Sequence, residues 1–565
     1  MAKERKLKSF RNPIMALVPS PAFHFVSASP FPSFLFSPRK SPRNSHHHTR
    51  PITVPTAAIS LFLCCLLLSL AILGAHVLSI VPTWQDSSPP CSLSFPSTVS
   101  ASSLFVSLSS NPTAEEGIKM AASGTPLIPV RNPGSNLSEE EAEFWKQPDG
   151  EGYQPCLYFT LQYRKASARI SKEKRRFLVV VVAGGLNQQR NQIVDAVVIA
   201  RILEAALVVP VLQVNLVWGD ESEFAEVFDV EHFKRVLRAD VRIVSSLPST
   251  HLLSRQSIQN QLPHDVSPLW LRTKFSREMN EEGLVVLKGL DSRLTKNLPL
   301  DLQKLRCKVA FHALRFAAPI QELGDRLARR MWVEGPYIAL HLRLEKDVWI
   351  RSGCLTGLGR EYDKIIDQMR ESEPEYLTGR LNMSHIQRRQ SGLCPLNAFE
   401  VAWFLKALGA PTGAGIYLAG GEPFGGTKAL QPLMQDFPNL VTKEMLARGA
   451  ELSPYAGKSS ALAAVDYIVS LSSNVFLPSH GGNMGRVMQG HRAYVGHRKY
   501  IKPNKPAMLP LFEDSSISEP ELGTIVRKLH RRSLGQPEAR TNKRDRDVIA
   551  YPVPECMCKS RKAIF

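Results

Sequence analysis

The chain has 565 residues, 44% hydrophobic and 21% charged, with 34 Gly and 41 Pro. That is too apolar for a disordered protein and, at about 150 residues per domain, long enough for two or three folded units. The net charge of +19 suggests a nucleic-acid binder, but residues 1–50 carry +8 and residues 527–565 carry +7, leaving +4 on the 476 residues between. A phosphate-tracking surface needs clustered charge and interleaved aromatics on the folded body, so no nucleic-acid partner is expected.

Residues 1–56, rich in Pro, Ser and basic groups, predict a disordered cytosolic tail. Ala57 to Val81 follows, 25 residues without Asp, Glu, Lys or Arg. About 20 such residues span a bilayer as a helix, because every backbone polar group is satisfied within the segment. A buried core helix would be shorter and amphipathic, and a cleaved signal peptide would start nearer the N-terminus. The stretch therefore predicts a single transmembrane helix. The basic residues precede it and no Lys or Arg falls between Trp84 and Ile118, so the topology is type II, with the large C-terminal part lumenal.

Residues 82–154 read as a Ser/Pro-rich stem. Asn136-Leu137-Ser138 and Asn382-Met383-Ser384 are glycosylation triplets that fit lumenal exposure. Beyond the apolar stretch lie Cys91, Cys156, Cys307, Cys354, Cys394, Cys556 and Cys558. In an oxidising lumen some pair, and an odd seven leaves at least one free or intermolecular. None has the C-x-x-C spacing of a zinc site, and Cys556-Met557-Cys558 reads as an accident of the tail.

Folded sequence is expected in an N-terminal unit, 155–334, and a C-terminal unit, 335–530, with a basic tail over 531–565. The β-branched run Phe177 to Val182 suits a strand buried on both faces. It ends at Ala183-Gly184-Gly185; a helical pattern over 189–205 and a strand over 207–210 complete one βαβ unit. A second set follows Gly335-Pro336: strand 337–342, helix 398–408, strand 416–419, helices 427–435 and 459–469, and strand 475–477. The fold class is α/β, two Rossmann-like units in tandem with a break near Val333–Pro336.

Three segments leaving strands could carry chemistry. Gly184-Gly185-Leu186-Asn187-Gln188-Gln189-Arg190 sits where open α/β sheets bind ligands, and its glycines admit a ligand close to the backbone. It lacks the G-x-G-x-x-G spacing of a nicotinamide cofactor, and a plain tight turn is the alternative. In His341-Leu342-Arg343-Leu344-Glu345-Lys346-Asp347, alternation puts His341, Arg343 and Glu345 on one side. An Arg backed by carboxylates suits a diphosphate that gains charge as a glycosidic bond breaks, and a salt-bridged strand end is the alternative. Ser479-His480-Gly481-Gly482-Asn483 precedes a helix, whose exposed amides make an anion site without a metal. Asp466, an acid in an apolar stretch, reads either as a helix-surface carboxylate or as a group that recognises a base or ribose. Gly457-Lys458-Ser459 lacks the first Gly of a Walker A loop, and Asp545-Arg546-Asp547 lies in the charged tail rather than after a core strand, so both are set aside.

These segments, with Ser352-Gly353-Cys354, Cys394-Pro395-Leu396, Ile416-Tyr417-Leu418-Ala419-Gly420-Gly421-Glu422 and Phe437-Pro438-Asn439-Leu440, resemble the plant O-fucosyltransferase-like family of glycosyltransferases over roughly residues 155–510. The resemblance implies a GT-B fold with two Rossmann-like domains facing a cleft, and a Golgi type II membrane protein. It implies inverting transfer from a nucleotide sugar, GDP-fucose, to a protein or polysaccharide hydroxyl, with no metal or other cofactor. By the same resemblance Arg343 holds the donor diphosphate and His341 shapes its pocket. Gly184 and Gly185 bind the donor, Asn187 faces the acceptor and sugar as a catalytic residue, Asp466 contacts the guanosine, and Ser479, His480, Gly481, Gly482 and Asn483 wrap the phosphates. Distant fucosyltransferases place a Glu in the first glycine loop as general base, whereas this loop has only Asn187 and Gln188, and an amide cannot take a full proton. Late deprotonation through water, or Glu345 or Glu422 as base, is the expectation. Rhamnosyl transfer in pectin or mannan synthesis is the alternative activity, and a non-catalytic glycan-binding scaffold of the same fold is the alternative class.

Overall fold

The computed structural model describes residues 137–559, except 171, 174, 216–218, 253–258, 261, 292, 375–376 and 378–381. The expected tail, the membrane helix over 57–81 and most of the stem, with Cys91 and Asn136, lie outside the described residues. Among the described residues no helix is long and apolar enough to cross a membrane.

After a short strand, β1 (Tyr153–Pro155), the run Phe177–Val182 forms β2. It is central to an all-parallel sheet in the order β5 (Ile243–Val244), β3 (Ala206–Val208), β2, β7 (Leu284–Lys288), β6 (Gln259–Asn260), with β4 (Val211–Leu212) also pairing β2. A β-branched run suits this place because helices cover both faces of a parallel sheet; Leu178, Val180 and Val182 are fully buried. Helix α1 (Leu186–Leu203) starts three residues earlier than the apolar pattern suggested, because extended Gly185 serves as its N-cap.

Helix α2 (Ala318–Val333) ends the first half and β8 (Tyr337–His341) begins the second. The second sheet is also parallel, in the order β10 (Leu440–Val441), β9 (Gly415–Ala419), β8, β11 (Val475–Pro478), β12 (Lys499–Tyr500). Around it lie α3 (Lys346–Ser352), α4 (Ala398–Ala407), α5 (Ser459–Ser472) and α6 (Asn483–Tyr494). One apolar core runs through both halves, joining Val180 to Tyr337 and Tyr467. At its seam α2 lies so close to α5 that a Cβ on Gly324 would sit 2.7 Å from Ile468.

Two boundaries differ from expectation. The last part of the stem is folded: a helix over Glu139–Trp145, held by a capping box from Ser138, buries Phe144 and Trp145 against the second half. The tail is folded as well. Its strand β13 (Met557–Lys559) pairs antiparallel with β1, and Val548, Ile549 and Val553 are buried. Its charges are paired: Arg540 with Glu555 inside the segment, and Asp547 with Arg306 of the first half at 3.0 Å.

Cys556-Met557-Cys558 is therefore no accident of the tail. Cys558 is bonded to Cys156 and Cys556 to Cys307, while Cys354 pairs with Cys394. The first two bridges close loops of 402 and 249 residues, so they remove much freedom from the unfolded chain. Cys556→Ser is expected to destabilise the protein by roughly 2–5 kcal/mol. Urea unfolding checks this, and a midpoint unchanged from wild type would contradict it.

Candidate functional site

The carboxyl ends of β8 and β11 are neighbours, with His341 paired to Pro478. From there one chain leaves as Leu342-Arg343-Leu344-Glu345 toward α3 and the other as Ser479–Gly482 into α6. Two hydrogen bonds stitch them together: Ser479 N donates to the His341 carbonyl at 3.0 Å, and Arg343 N donates to Ser479 Oγ at 3.0 Å. The Cys354–Cys394 loop braces the same turn, since Leu396 N donates to the Ser479 carbonyl at 2.9 Å.

The Arg343 guanidinium is shared between two carboxylates, Glu345 Oε2 at 2.8 Å and Asp347 Oδ2 at 3.0 Å. Burial raises the pKa of Glu345, but the charge of Arg343 and the Gly421 amide outweigh it and hold the carboxyl low. Glu345 Oε1 accepts that Gly421 N–H at 3.0 Å. Buried, ionised and held on both oxygens, Glu345 positions Arg343 and the Gly420–Gly421 turn. A carboxylate held low is a weak base, so the expected proton-accepting role has no geometric support here. Glu422 is exposed beside that turn.

Two imidazoles flank the guanidinium. Burial, aided by the charge of Arg343, pushes His341 down to about 4, and burial with Lys505 and Arg343 pushes His480 well below its usual value. Both are neutral at physiological pH, and the Nδ1 of each is buried without a hydrogen-bond partner. Lys505, which donates to the Cys394 carbonyl, is lowered to about 8 by burial and stays mostly charged at neutral pH. Beside these groups α6 starts at Gly482, which gives no side-chain cap, so the first-turn amides are left to other partners. A Cβ on Gly481 or Gly482 would meet no atom within 4 Å, so the glycines leave open space before the helix.

The first glycine turn follows β2 and leads into α1. Gly184 has φ +88°, a left-handed conformation that favours glycine, and a Cβ there would displace the end of the Gln188 side chain. Asn191 Nδ2 on α1 donates to Asn483 Oδ1 on α6 at 3.4 Å, linking the second turn of α1 to the first residue of α6. Asn187 Oδ1 is buried without a partner. Gln188 Nε2 donates at 2.7 Å to Oδ2 of Asp291, a residue that no motif singled out. Arg190 is structural: its guanidinium donates to the Ala310 carbonyl and stacks on Tyr467.

Asp466 lies inside the protein. Its Oδ1 accepts from the Tyr417 hydroxyl at 2.6 Å, and its Oδ2 from Gly420 N and Lys443 Nζ, both at 3.2 Å. Burial pushes its pKa up against the pull of Lys443. The carboxylate clamps the Gly420–Gly421 turn from below, so any effect it has on a ligand passes through that turn. Lys443 and Tyr417 complete the clamp from other segments; Tyr417 lies in one of the quoted motifs, and Lys443 in none. The set-aside Lys458 pairs with Glu226 at 2.7 Å, outside this edge.

The profile of the family described as GDP-fucose protein O-fucosyltransferase matches residues 177–495, from β2 through α6. The chain is 62% identical to "O-fucosyltransferase 37" of Arabidopsis thaliana over 99% of its own length and 98% of that protein's. It is 52% identical to "O-fucosyltransferase 20" of the same plant over 96% and 95%. Among solved structures, POFUT1 in complex with GDP-fucose covers 58% of this chain and 97% of its own at 12% identity and a TM-score of 0.37, a likeness too slight to bear on this chain. A chain with two parallel sheets that matches this family over most of its folded length is a glycosyltransferase. The chain belongs to the GDP-fucose protein O-fucosyltransferase family.

Proposed function

We propose that the chain transfers fucose from GDP-fucose to a hydroxyl of a protein or cell-wall glycan, by metal-independent inverting displacement, in the Golgi lumen behind a single N-terminal type II anchor. The observation that carries this reading is the hydrogen-bonded junction of Arg343 with the Ser479–Gly482 turn at adjacent strand ends. As the bond from the sugar C1 to the β-phosphate breaks, negative charge gathers on the leaving diphosphate. A guanidinium and the amides that start a helix are placed to receive it, and they supply the positive field from the protein itself. His341 and His480, neutral on either side, shape the pocket without adding charge. The family description names this donor, and three disulfides suit an oxidising compartment.

The test is thermal unfolding of the full chain with GDP-fucose, UDP-rhamnose and GDP-mannose in excess EDTA. GDP-fucose is expected to raise the melting temperature most, with a stabilisation of about 2.7 kcal/mol at 100 times its Kd. Stabilisation by UDP-rhamnose alone would transfer the reading to rhamnosyl transfer. Turnover lost in EDTA and restored by Mn²⁺ would reject the metal-free mechanism.

A further inference from the structure

We infer that Asp291 is the general base that takes the acceptor's proton; the inference rests on the transfer reaction proposed above. In an in-line displacement the attacking oxygen approaches C1 from the side away from the leaving diphosphate, so its base has to stand on the wall opposite the phosphate grip. That grip, Arg343 with the Ser479–Gly482 turn, belongs to the carboxyl edge of β8 and β11. Glu345, Asp347 and Glu422 follow β8 and β9 on that same wall, and the first two are bound to Arg343.

The other wall is the carboxyl edge of β2 and β7, tied to the start of α6 through the Asn191–Asn483 contact. Its glycine turn offers only the amides of Asn187 and Gln188, which hold no extra proton. Asp291 stands three residues past the end of β7, the parallel neighbour of β2, and so reaches the same edge. Gln188 Nε2, donating to its Oδ2 at 2.7 Å, fixes the carboxylate beside the turn. The pair thus places next to the glycine turn the acid that the turn itself lacks.

In the step this implies, the acceptor O–H bond breaks and its proton passes to the Asp291 carboxylate. The oxygen's electron pair forms the new bond to C1, and the C1–O bond to the β-phosphate breaks with its pair leaving on GDP. Asp291 then returns its proton to water.

The test uses the full chain and GDP-fucose alone, with water as acceptor. D291N is expected to retain the GDP-fucose melting shift of wild type while its hydrolysis of GDP-fucose falls by about 10²–10⁴-fold. A D291N chain that binds GDP-fucose and hydrolyses it within threefold of wild type overturns the assignment. If D291N gives no cooperative melt, D291E decides: an intact melting shift with at least a tenth of the hydrolysis supports the base, and an intact shift with hydrolysis lost overturns it. A wild-type chain that GDP-fucose does not stabilise rejects the donor reading instead, a result distinct from failure of the base.

Discussion

Arg343→Ala is expected to lower GDP-fucose turnover by about 10²–10³-fold, the usual effect of removing one donor aimed at developing negative charge. Its structural consequence is separate and also sizeable. Glu345 is 8% exposed and would lose its counter-charge. Breaking a fully buried pair costs about 3–5 kcal/mol; the Arg343 side chain is 28% exposed and Asp347 26%, so about 1–3 kcal/mol is expected here. The pH dependence follows from Glu345. In wild type its folded pKa is lowered, so it contributes stability above the ordinary carboxylate range, and that contribution is lost as pH falls through the lowered value. Without Arg343 the raising effect of burial remains and the main lowering influence is gone. Glu345 then opposes folding at neutral pH and ceases to do so once protonated. The stability gap between variant and wild type should be widest near pH 7 and shrink as pH falls through the carboxylate range and then through the lowered wild-type value. The double variant R343A/E345Q should recover stability but not turnover, which separates the two roles. Arg343→Lys keeps the charge but loses the fork that spans two carboxylates, and its turnover should be intermediate. An Arg343→Ala chain with wild-type turnover would remove the guanidinium from the mechanism.

What could be read from the sequence follows from where the determining contacts lie. β2 was legible because Phe177–Val182 carries its own signal, a β-branched run buried on both faces. β8 and β11 were legible for the same reason, and with them the junction of Arg343 and Ser479. The edge strands β4, β5, β10 and β12, two residues each, carry no pattern long enough to see. The C-terminal segment was hidden because its charges look solvated until Arg306 and Glu555 are brought to them. Asp466 was visible as an acid among apolar neighbours, yet its role depends on Lys443 and Tyr417, which come from a different helix and strand. Asp291 follows a readable strand but belongs to no motif; only the pairing of β7 with β2 takes it to Gln188.

The largest loss of stability is expected from Arg492, which is fully buried and, among the described residues, has no carboxylate beside it. Burial pushes its pKa well below the usual guanidinium range, and Arg498 adds to the effect, so the site is costly for a cation. It is offset by hydrogen bonds to carbonyls. Nη1 donates to Ser470 at 2.9 Å and Leu471 at 3.3 Å, and Nη2 to Ser473 at 3.0 Å, Asn474 at 2.9 Å and Lys499 at 3.0 Å. These carbonyls end α5, lead into β11 and open β12, so a side chain on α6 ties all three to the helix that follows the Ser479–Gly482 turn. Arg492→Met keeps much of the volume and removes the buried charge, a gain, but strips five carbonyls of a donor. At about 1–3 kcal/mol for each group left unsatisfied, even partial loss takes a large share of the 5–15 kcal/mol that holds a typical protein folded. The expected result is a fall of more than about 3 kcal/mol in urea unfolding, or a chain that does not fold. Arg492→Lys should not rescue it, because one ammonium offers three donors from a single point and cannot reach both rows of carbonyls. A methionine variant within about 0.5 kcal/mol of wild type, the range of a neutral surface change, would show that the helix end and strands hold together without the guanidinium.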